Sequence, residues 1–140
     1  MPYESDVATL LGIEGPAPLS GMRLARAIEQ GLPMSALDRL SSLVAPDDGG
    51  FRHRIVPKPA LDRRRGERLT ARESDLLARV AHLWAVARKV WGSDEDARAF
   101  LFRRHPLLEM RAPMDVAMGT GLGARCVEDL LGRLQHGSAA

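Results

Sequence analysis

A long amphipathic helix with a defined start and a defined stop most constrains the fold of this chain. Thr70-Ala71-Arg72-Glu73 has the pattern of a capping box, in which the threonine and glutamate side chains satisfy the first unpaired N–H groups of a helix. Apolar residues then recur at helical spacing from Leu76 to Trp91, and Gly92 provides a stop. At 1.5 Å per residue such a helix is about 33 Å long. The sequence therefore predicts a helical spine that joins two subdomains.

The composition favours a small protein built from helices. The 140 residues are enough for one ordinary domain or for two small subdomains. Only 4% of the chain is aromatic whereas 45% is hydrophobic, and this balance favours aliphatic helix packing over a β-sandwich. The chain contains no internal repeat, heptad array or alternating strand pattern. We therefore expect an all-α fold.

Shorter helices are predicted before the spine. A serine cap and a glycine stop bound the first, from Ser20 to Gly31, and Pro33 opens the second, which continues to Val44. Two short helices follow, one from Asp47 to Ile55 and one from Pro59 to Arg65. Residues 1–19 contain glycine and proline with little periodicity, so we expect a weakly ordered lead-in there.

Three further helices are predicted after the spine. Ser93 caps the first, Pro113 opens a short second one, and the last runs to His136. Gly119 to Gly123 is expected to be a tight turn, since no strand precedes it and no lysine follows it as in a phosphate-binding loop. The predicted organisation is a lead-in at residues 1–19, a helix-turn-helix domain at 20–69, a connecting helix at 70–92 and a C-terminal helical domain at 93–140.

Positive charge is concentrated just before the spine. Residues 52–68 hold seven Lys or Arg against two acids, although the whole chain is only +2. A short helix, a turn and a second short helix with a basic end are what a helix-turn-helix requires, because cations fix the second helix on phosphates. The expected DNA contacts are Lys58, Arg63, Arg64, Arg65 and Arg68. The alternative is that these cations form a solvated surface, and Pro57, Pro59 and the preceding glycine pair depart from an ideal motif.

The remaining reactive side chains do not form a catalytic or metal-binding pattern. Cys126 cannot form an internal disulfide and is expected to be a small core residue, which fits a reducing cytoplasm. The four histidines lack ligand spacing, and no Ser/His/Asp set or carboxylate pair stands out. The most apolar run, residues 80–87, is far shorter than the roughly 18 residues of a membrane span. We therefore expect a cytoplasmic protein with no catalytic residues, cofactor, metal or membrane contact.

From Leu61 onward, an ordered set of segments that spans more than half of the chain resembles a known family. It includes Leu69-Thr70-Ala71-Arg72-Glu73-Ser74-Asp75, Ala112-Pro113-Met114-Asp115 and Val127-Glu128-Asp129-Leu130-Leu131-Gly132. The matching residues are 61–64, 69–79, 87–92, 97–101, 105–108, 112–117 and 123–137. With these segments the chain resembles the Xre/MbcA/ParS antitoxin family, specifically the members paired with RES-domain toxins.

The resemblance implies the antitoxin of a type II toxin–antitoxin system. Its Xre-like helix-turn-helix would bind the promoter of its own operon, and its C-terminal domain would bind the toxin. RES toxins resemble ADP-ribosyltransferases and consume NAD, so the NAD chemistry would belong to the partner, and this chain, expected to be a homodimer, would occlude that site. The expected toxin contacts are Arg103, Arg104, His105, Arg111, Ala112, Pro113, Met114, Arg133, His136 and Gly137.

The chain departs from the family pattern at two positions. The pattern has a threonine where Ala60 stands, which removes a possible phosphate-contacting hydroxyl, and a glycine near Met110, in a turn close to the expected toxin contacts. Two other functions remain open. One is a stand-alone transcriptional regulator whose C-terminal half only dimerises, and the other is an antitoxin that has lost DNA binding.

Overall fold

The computed structural model describes residues 4–13, 21–64 and 66–137, and the regular secondary structure in these ranges is helical. The helices are α1 (Glu4–Leu11), α2 (Met22–Gln30), α3 (Met34–Val44), α4 (Arg52–Ile55), α5 (Lys58–Asp62), α6 (Ala71–Trp91), α7 (Asp94–Phe102), α8 (Pro113–Gly119) and α9 (Gly121–Gln135). A 3-10 turn, Pro106–Leu108, lies between α7 and α8. The all-α prediction is confirmed.

The chain divides into two compact units, residues 1–81 and 82–140. The division falls inside α6, so this one helix contributes residues to both units. The functional boundaries expected at residues 69 and 92 coincide with the two ends of α6 and stay predictions.

Helix α1 corrects the expectation of a weakly ordered lead-in for residues 4–11. Val7, Ala8 and Leu11 recur at helical spacing and are buried, and α1 packs against α3. Gly12 follows with a left-handed φ of 71° and ends the helix. Gly15, Pro16 and Pro18, which together with Gly12 suggested a weakly ordered segment, and the predicted Ser20 cap lie outside the described residues. Burial of this apolar face against α3 stabilises α1, although the sequence shows little periodicity here.

The capping box at the start of α6 is confirmed. The Thr70 N–H donates to Glu73 Oε1 at 2.9 Å, and the Glu73 N–H donates to Thr70 Oγ1 at 3.1 Å. In the next turn the Ser74 hydroxyl is buried and accepts the Leu32 N–H at 2.8 Å. The start of α6 is therefore tied both to its own cap and to the α2–α3 connection.

The segment before α6 also contacts the α2–α3 connection, through two hydrogen bonds. The Leu69 N–H donates to the Leu32 carbonyl at 2.9 Å, and Arg68 donates to the Gly31 carbonyl at 3.0 Å. Gly31 has a φ of 90°, and a Cβ at this position would lie 2.3 Å from the Leu69 carbonyl oxygen. Only glycine allows the two backbones to come this close.

The two helices of the predicted helix-turn-helix are present but shorter than expected. Helix α4 begins at Arg52 and not at Asp47, because the preceding residues, with Gly49 and Gly50, form turns. Helix α5 ends at Asp62, three residues before the expected end. Ile55 and Leu61 are buried and anchor these single helical turns to the unit.

The second unit has the aliphatic core that its sequence predicts. Ser93 caps α7 by accepting the Asp96 N–H at 3.2 Å, and Thr120 alone separates α8 from α9, so the predicted Gly119 to Gly123 turn is a single residue. The buried residues of this unit include Leu83, Trp84, Ala87, Ala97, Leu101, Met114, Ala117, Val127, Leu130 and Leu131. Cys126, expected in the core, is exposed on α9, because the residue next to it, Val127, takes the inward position.

Candidate functional site

Arg64, an expected DNA contact, is bound within the first unit. Its Nη1 and Nη2 atoms donate to the two carboxylate oxygens of Glu73, the second at 2.7 Å. The side chains of Arg64 and Glu73 are only 16% and 13% exposed. The hydrogen bond from Arg64, with those from the Thr70 cap, lowers the pKa of Glu73, and the same bond raises the pKa of Arg64. The Arg64 charge is therefore already matched by an internal carboxylate.

The other expected DNA contacts differ in how free their charges are. Lys58 pairs with Asp62 one turn along α5 at 2.9 Å, an exposed pair that is worth little and breaks easily. Arg68 is bound to the Gly31 carbonyl. Arg63 is exposed at the end of α5 and makes no ion pair with any residue of the described ranges. Arg65 lies outside the described residues.

A recess of about 560 Å³ lies beside α5. Its lining includes Arg52, His53, Lys58 and Arg64, with Asp62 as the acid. Arg52 is also held by Asp38 at 2.9 Å. Three of the lining cations therefore have carboxylate partners within the unit, so the electrostatic attraction for phosphate is smaller here than the sequence cluster predicts.

In the second unit, a tight loop follows α7 and holds the first group of expected toxin contacts. The His105 N–H donates to the Arg111 carbonyl at 3.1 Å, and the Met110 N–H donates to the His105 carbonyl at 3.0 Å. His105 Nδ1 accepts the Leu107 N–H at 3.1 Å, so the neutral ring carries its proton on Nε2. We call residues 103–111 the knuckle loop.

The turn of the knuckle loop is made by two non-glycine residues in left-handed conformations. Glu109 has a φ of 56° and Met110 a φ of 62°. This explains the glycine that the family pattern has near Met110, since glycine adopts such angles without steric cost. Strained residues of this kind often occur at functional sites.

The knuckle loop presents apolar and cationic side chains together. Leu107 is 53% and Met110 55% exposed, and neither was among the residues predicted from the sequence. Arg103, Arg104 and Arg111 are exposed and make no ion pair with other residues in the described part of the chain. Large apolar side chains in a polar loop were the available signal for Leu107 and Met110, because an exposed apolar cluster marks an interaction surface.

Three expected contacts are corrected by their burial. Ala112, Pro113 and Met114 lie in the core of the second unit, with Met114 fully inaccessible. These residues open α8 and carry its apolar face, so they hold the knuckle loop in place and do not present a surface themselves. The C-terminal group, Arg133, His136 and Gly137, is exposed at the end of α9, as a contact surface requires.

The structure brings Arg103, Arg104 and His105 together around one recess of about 330 Å³. Its other lining residues are Trp91, Asp96, Ala99, Phe100 and Leu134. The Trp91 and Phe100 rings are 5.6 Å apart between centroids, and the Phe100 and His105 rings are 6.2 Å apart in an edge-on arrangement. Trp91, the last residue of the apolar stripe, is 39% exposed, whereas Trp84 is buried.

The described residues contain no helix long and apolar enough to cross a membrane. Among the same residues, no group of three or more His, Cys, Asp or Glu side chains could hold a metal ion.

Comparison with known proteins assigns a family to each half of the chain. Residues 23–82 match the antitoxin Xre-like helix-turn-helix domain. Residues 86–137 match the antitoxin Xre/MbcA/ParS C-terminal toxin-binding domain, which includes the knuckle loop and its recess. No curated protein is similar enough to count as a match. The two matches follow one another with a gap of three residues inside α6, and the chain belongs to the Xre-type antitoxins.

Proposed function

We propose that this antitoxin neutralises a RES-domain toxin by covering the toxin's NAD-binding site with the exposed surface of its second unit. The observation that carries the proposal is the knuckle loop, where exposed Leu107 and Met110 lie among Arg103, Arg104 and Arg111, whose charges have no ion-pair partner among the described residues. A loop with apolar tips and a cationic rim suits an inhibitor, and because its backbone is already closed by hydrogen bonds, little backbone freedom is lost on binding. This chain would contribute no catalytic residue or cofactor of its own.

The energetics support a contact centred on the loop tips. Burying the exposed part of Leu107 and of Met110 is worth on the order of 1 kcal/mol each. The unpaired arginines add orientation and a fast, electrostatically steered association with an acidic partner surface. Arg133, His136 and Gly137 at the end of α9 are proposed as a second contact, since they are exposed in the same unit.

Co-expression with the neighbouring gene of the operon tests this proposal. The neighbour should encode a RES-domain protein that arrests growth alone, and the antitoxin should restore growth and co-purify with it. The toxin's consumption of NAD should stop at one equivalent of antitoxin. A RES neighbour that remains toxic and forms no complex with the purified antitoxin contradicts the proposal.

We further propose that the antitoxin acts as a homodimer in the cytoplasm and represses its own operon through the α4–α5 region. A dimer would place two copies of α5 on the two halves of a palindromic operator. Arg63, and the weakly paired Lys58, are the cations best placed to meet phosphates. A gel-shift titration of the promoter fragment, with and without toxin, tests this, and light scattering measures the stoichiometry.

A second function is favoured by one specific observation. Because Arg64 is held by Glu73 and Arg52 by Asp38, fewer cations are free than the sequence cluster suggests. An antitoxin that neutralises toxin without binding its promoter would follow if the remaining cations are too few. A stand-alone regulator would give the opposite result in both assays, because it would shift the promoter fragment and leave the toxin active.

A further inference from the structure

We propose that the recess beside the knuckle loop receives an acidic side chain of the toxin that is flanked by apolar residues. This inference rests on the proposed toxin binding and states which chemistry in the partner the recess selects. The recess measures about 330 Å³, which is room for a few side chains and not for a helix or a duplex.

The rim of the recess is cationic. Arg103 and Arg104 line it and make no ion pair with a described residue, while Asp96 is the one acid among its lining residues. Their guanidinium groups are planar and present several donors, so they bind a carboxylate through two parallel hydrogen bonds. His105 adds a further donor, because its Nδ1 is engaged by the Leu107 N–H and its Nε2 carries the proton.

The wall of the recess is apolar and aromatic. Trp91 is 39% exposed, although a tryptophan at the end of an apolar helical stripe normally completes a core. Phe100 packs against it and, edge-on, against the His105 ring. Leu134 from α9 also lines the recess. An apolar wall below a cationic rim is complementary to an acid with an aliphatic or aromatic neighbour.

Nucleic acid fits this recess less well than protein. A duplex presents phosphates at a regular spacing and needs a row of cations, whereas this recess is lined by two arginines together with aromatic side chains. The occupant that matches both features is a short acidic and apolar segment of a protein. The toxin is the partner that the second unit is built to meet.

Charge reversal at the rim tests the inference. Arg103→Glu/Arg104→Glu should weaken the complex by at least about 30-fold, the loss typical of breaking a buried charged contact. Arg125→Glu is the control, because Arg125 is exposed on α9, makes no ion pair with a described residue and does not line the recess. It should change affinity by less than about threefold, as expected for an exposed charge away from the contact. Both variants should keep the wild-type thermal midpoint within a few degrees, since no ion pair is lost.

Filling the recess provides a second, independent variant. Ala99 is exposed and lines the recess, so Ala99→Trp places a ring there without removing any existing contact. It should weaken the complex as much as the charge reversal. A toxin variant in which the contacting acid is changed to lysine should bind the Arg103→Glu/Arg104→Glu antitoxin better than the wild-type antitoxin.

The results separate the two proposals. If wild-type antitoxin and toxin do not associate, the proposed toxin binding fails and the recess inference fails with it. If they associate and the rim variant binds as tightly as Arg125→Glu, only the recess inference is overturned. A rim variant that keeps toxin affinity and loses promoter affinity would instead assign the recess to nucleic acid.

Discussion

Arg64 and Glu73 form a two-pronged ion pair that joins the segment after α5 to the first turn of α6. Both guanidinium terminal nitrogens donate to the carboxylate, which also accepts the Thr70 N–H at 2.9 Å. Glu73 thus serves as helix cap and ion-pair partner at once. The pair holds the segment after α5 in position. Because the Arg64 guanidinium is bound to Glu73, one cation fewer is available to contact a phosphate.

The stability that Glu73 contributes should depend on pH. Its pKa is lowered from 4.5 in the folded protein, so its contribution is fully present above pH 4.5 and is lost as the pH falls through the lower folded value. Urea denaturation of the wild type and Glu73→Gln should give a large difference in unfolding free energy at pH 7 that shrinks below pH 4.5. The Glu95→Gln variant, at an exposed acid in the first turn of α7, is the comparison. A wild-type advantage over Glu73→Gln that stayed constant down to pH 3 would contradict the role of the pair.

Arg63 and Arg64 should differ in what their loss changes. Arg63→Ala removes an exposed charge that has no ion-pair partner among the described residues, so promoter affinity should fall, and the slope of log affinity against log salt should become shallower by about 0.9. Arg64→Ala removes the partner of Glu73, so it should lower the unfolding free energy and leave the salt slope unchanged if measured well below the melting temperature. Equal changes in salt slope for the two variants would show that Arg64 leaves Glu73 to bind DNA.

The sequence was informative where local signals decide the structure. The capping box of α6, the serine cap of α7 and the stop at Gly31 each depend on neighbouring residues, and each is found where the pattern placed it. Those signals also predicted the all-α class. The family of the chain followed from ordered segments along the spine and the second unit, and the family matches confirm it.

Contacts between residues that are distant in the sequence could not be predicted from the sequence pattern. A run of arginines does not reveal that one of them meets Glu73 nine positions later, nor that Arg52 meets Asp38. Similarly, Ala112 and Met114 form part of a matching segment, but the sequence does not say which residues of that segment face the core. Helix α1 was missed because Val7, Ala8 and Leu11 are buried by packing against α3, a contact between distant segments, and the prolines nearby weigh against a helix in the local sequence.

Gly31 should be far less replaceable than a glycine inside a helix. Gly31→Ala forces a side chain into a φ of 90° and places its Cβ against the Leu69 carbonyl oxygen, so we expect a loss of about 2 kcal/mol or more in unfolding free energy. Gly132→Ala is the matched control, since this α9 position is helical and has nothing within 4 Å of the new Cβ. It should stabilise the protein by about 0.5–1 kcal/mol. Chemical denaturation of the two variants measures both changes, and a neutral Gly31→Ala would mean that the α2–α3 connection moves freely.

Replacing Met110 with glycine should lower the affinity for the toxin without lowering the unfolding free energy. Its φ of 62° is a conformation that costs a non-glycine residue about 1–2 kcal/mol, so Met110→Gly removes strain while adding freedom to the unfolded chain. The unfolding free energy should therefore stay level or rise by up to about 1 kcal/mol. Toxin affinity should fall by about tenfold or more, because the 55% exposed side chain at the loop tip is lost. Calorimetric titration with the toxin and urea denaturation measure the two effects.

A control substitution on α9 distinguishes the loss of an apolar side chain of the knuckle loop from the loss of any exposed apolar side chain. Leu122 is 68% exposed and lies outside the knuckle loop, so Leu122→Ala should leave toxin affinity within about twofold, whereas Leu107→Ala should weaken it as Met110→Gly does. If Met110→Gly bound toxin as well as the wild type, the strained turn would have no part in the contact. The methionine would then be tolerated at a position where the fold itself favours glycine. A stable variant with weakened binding would instead indicate that the strain is retained because the side chain it presents is needed by the partner.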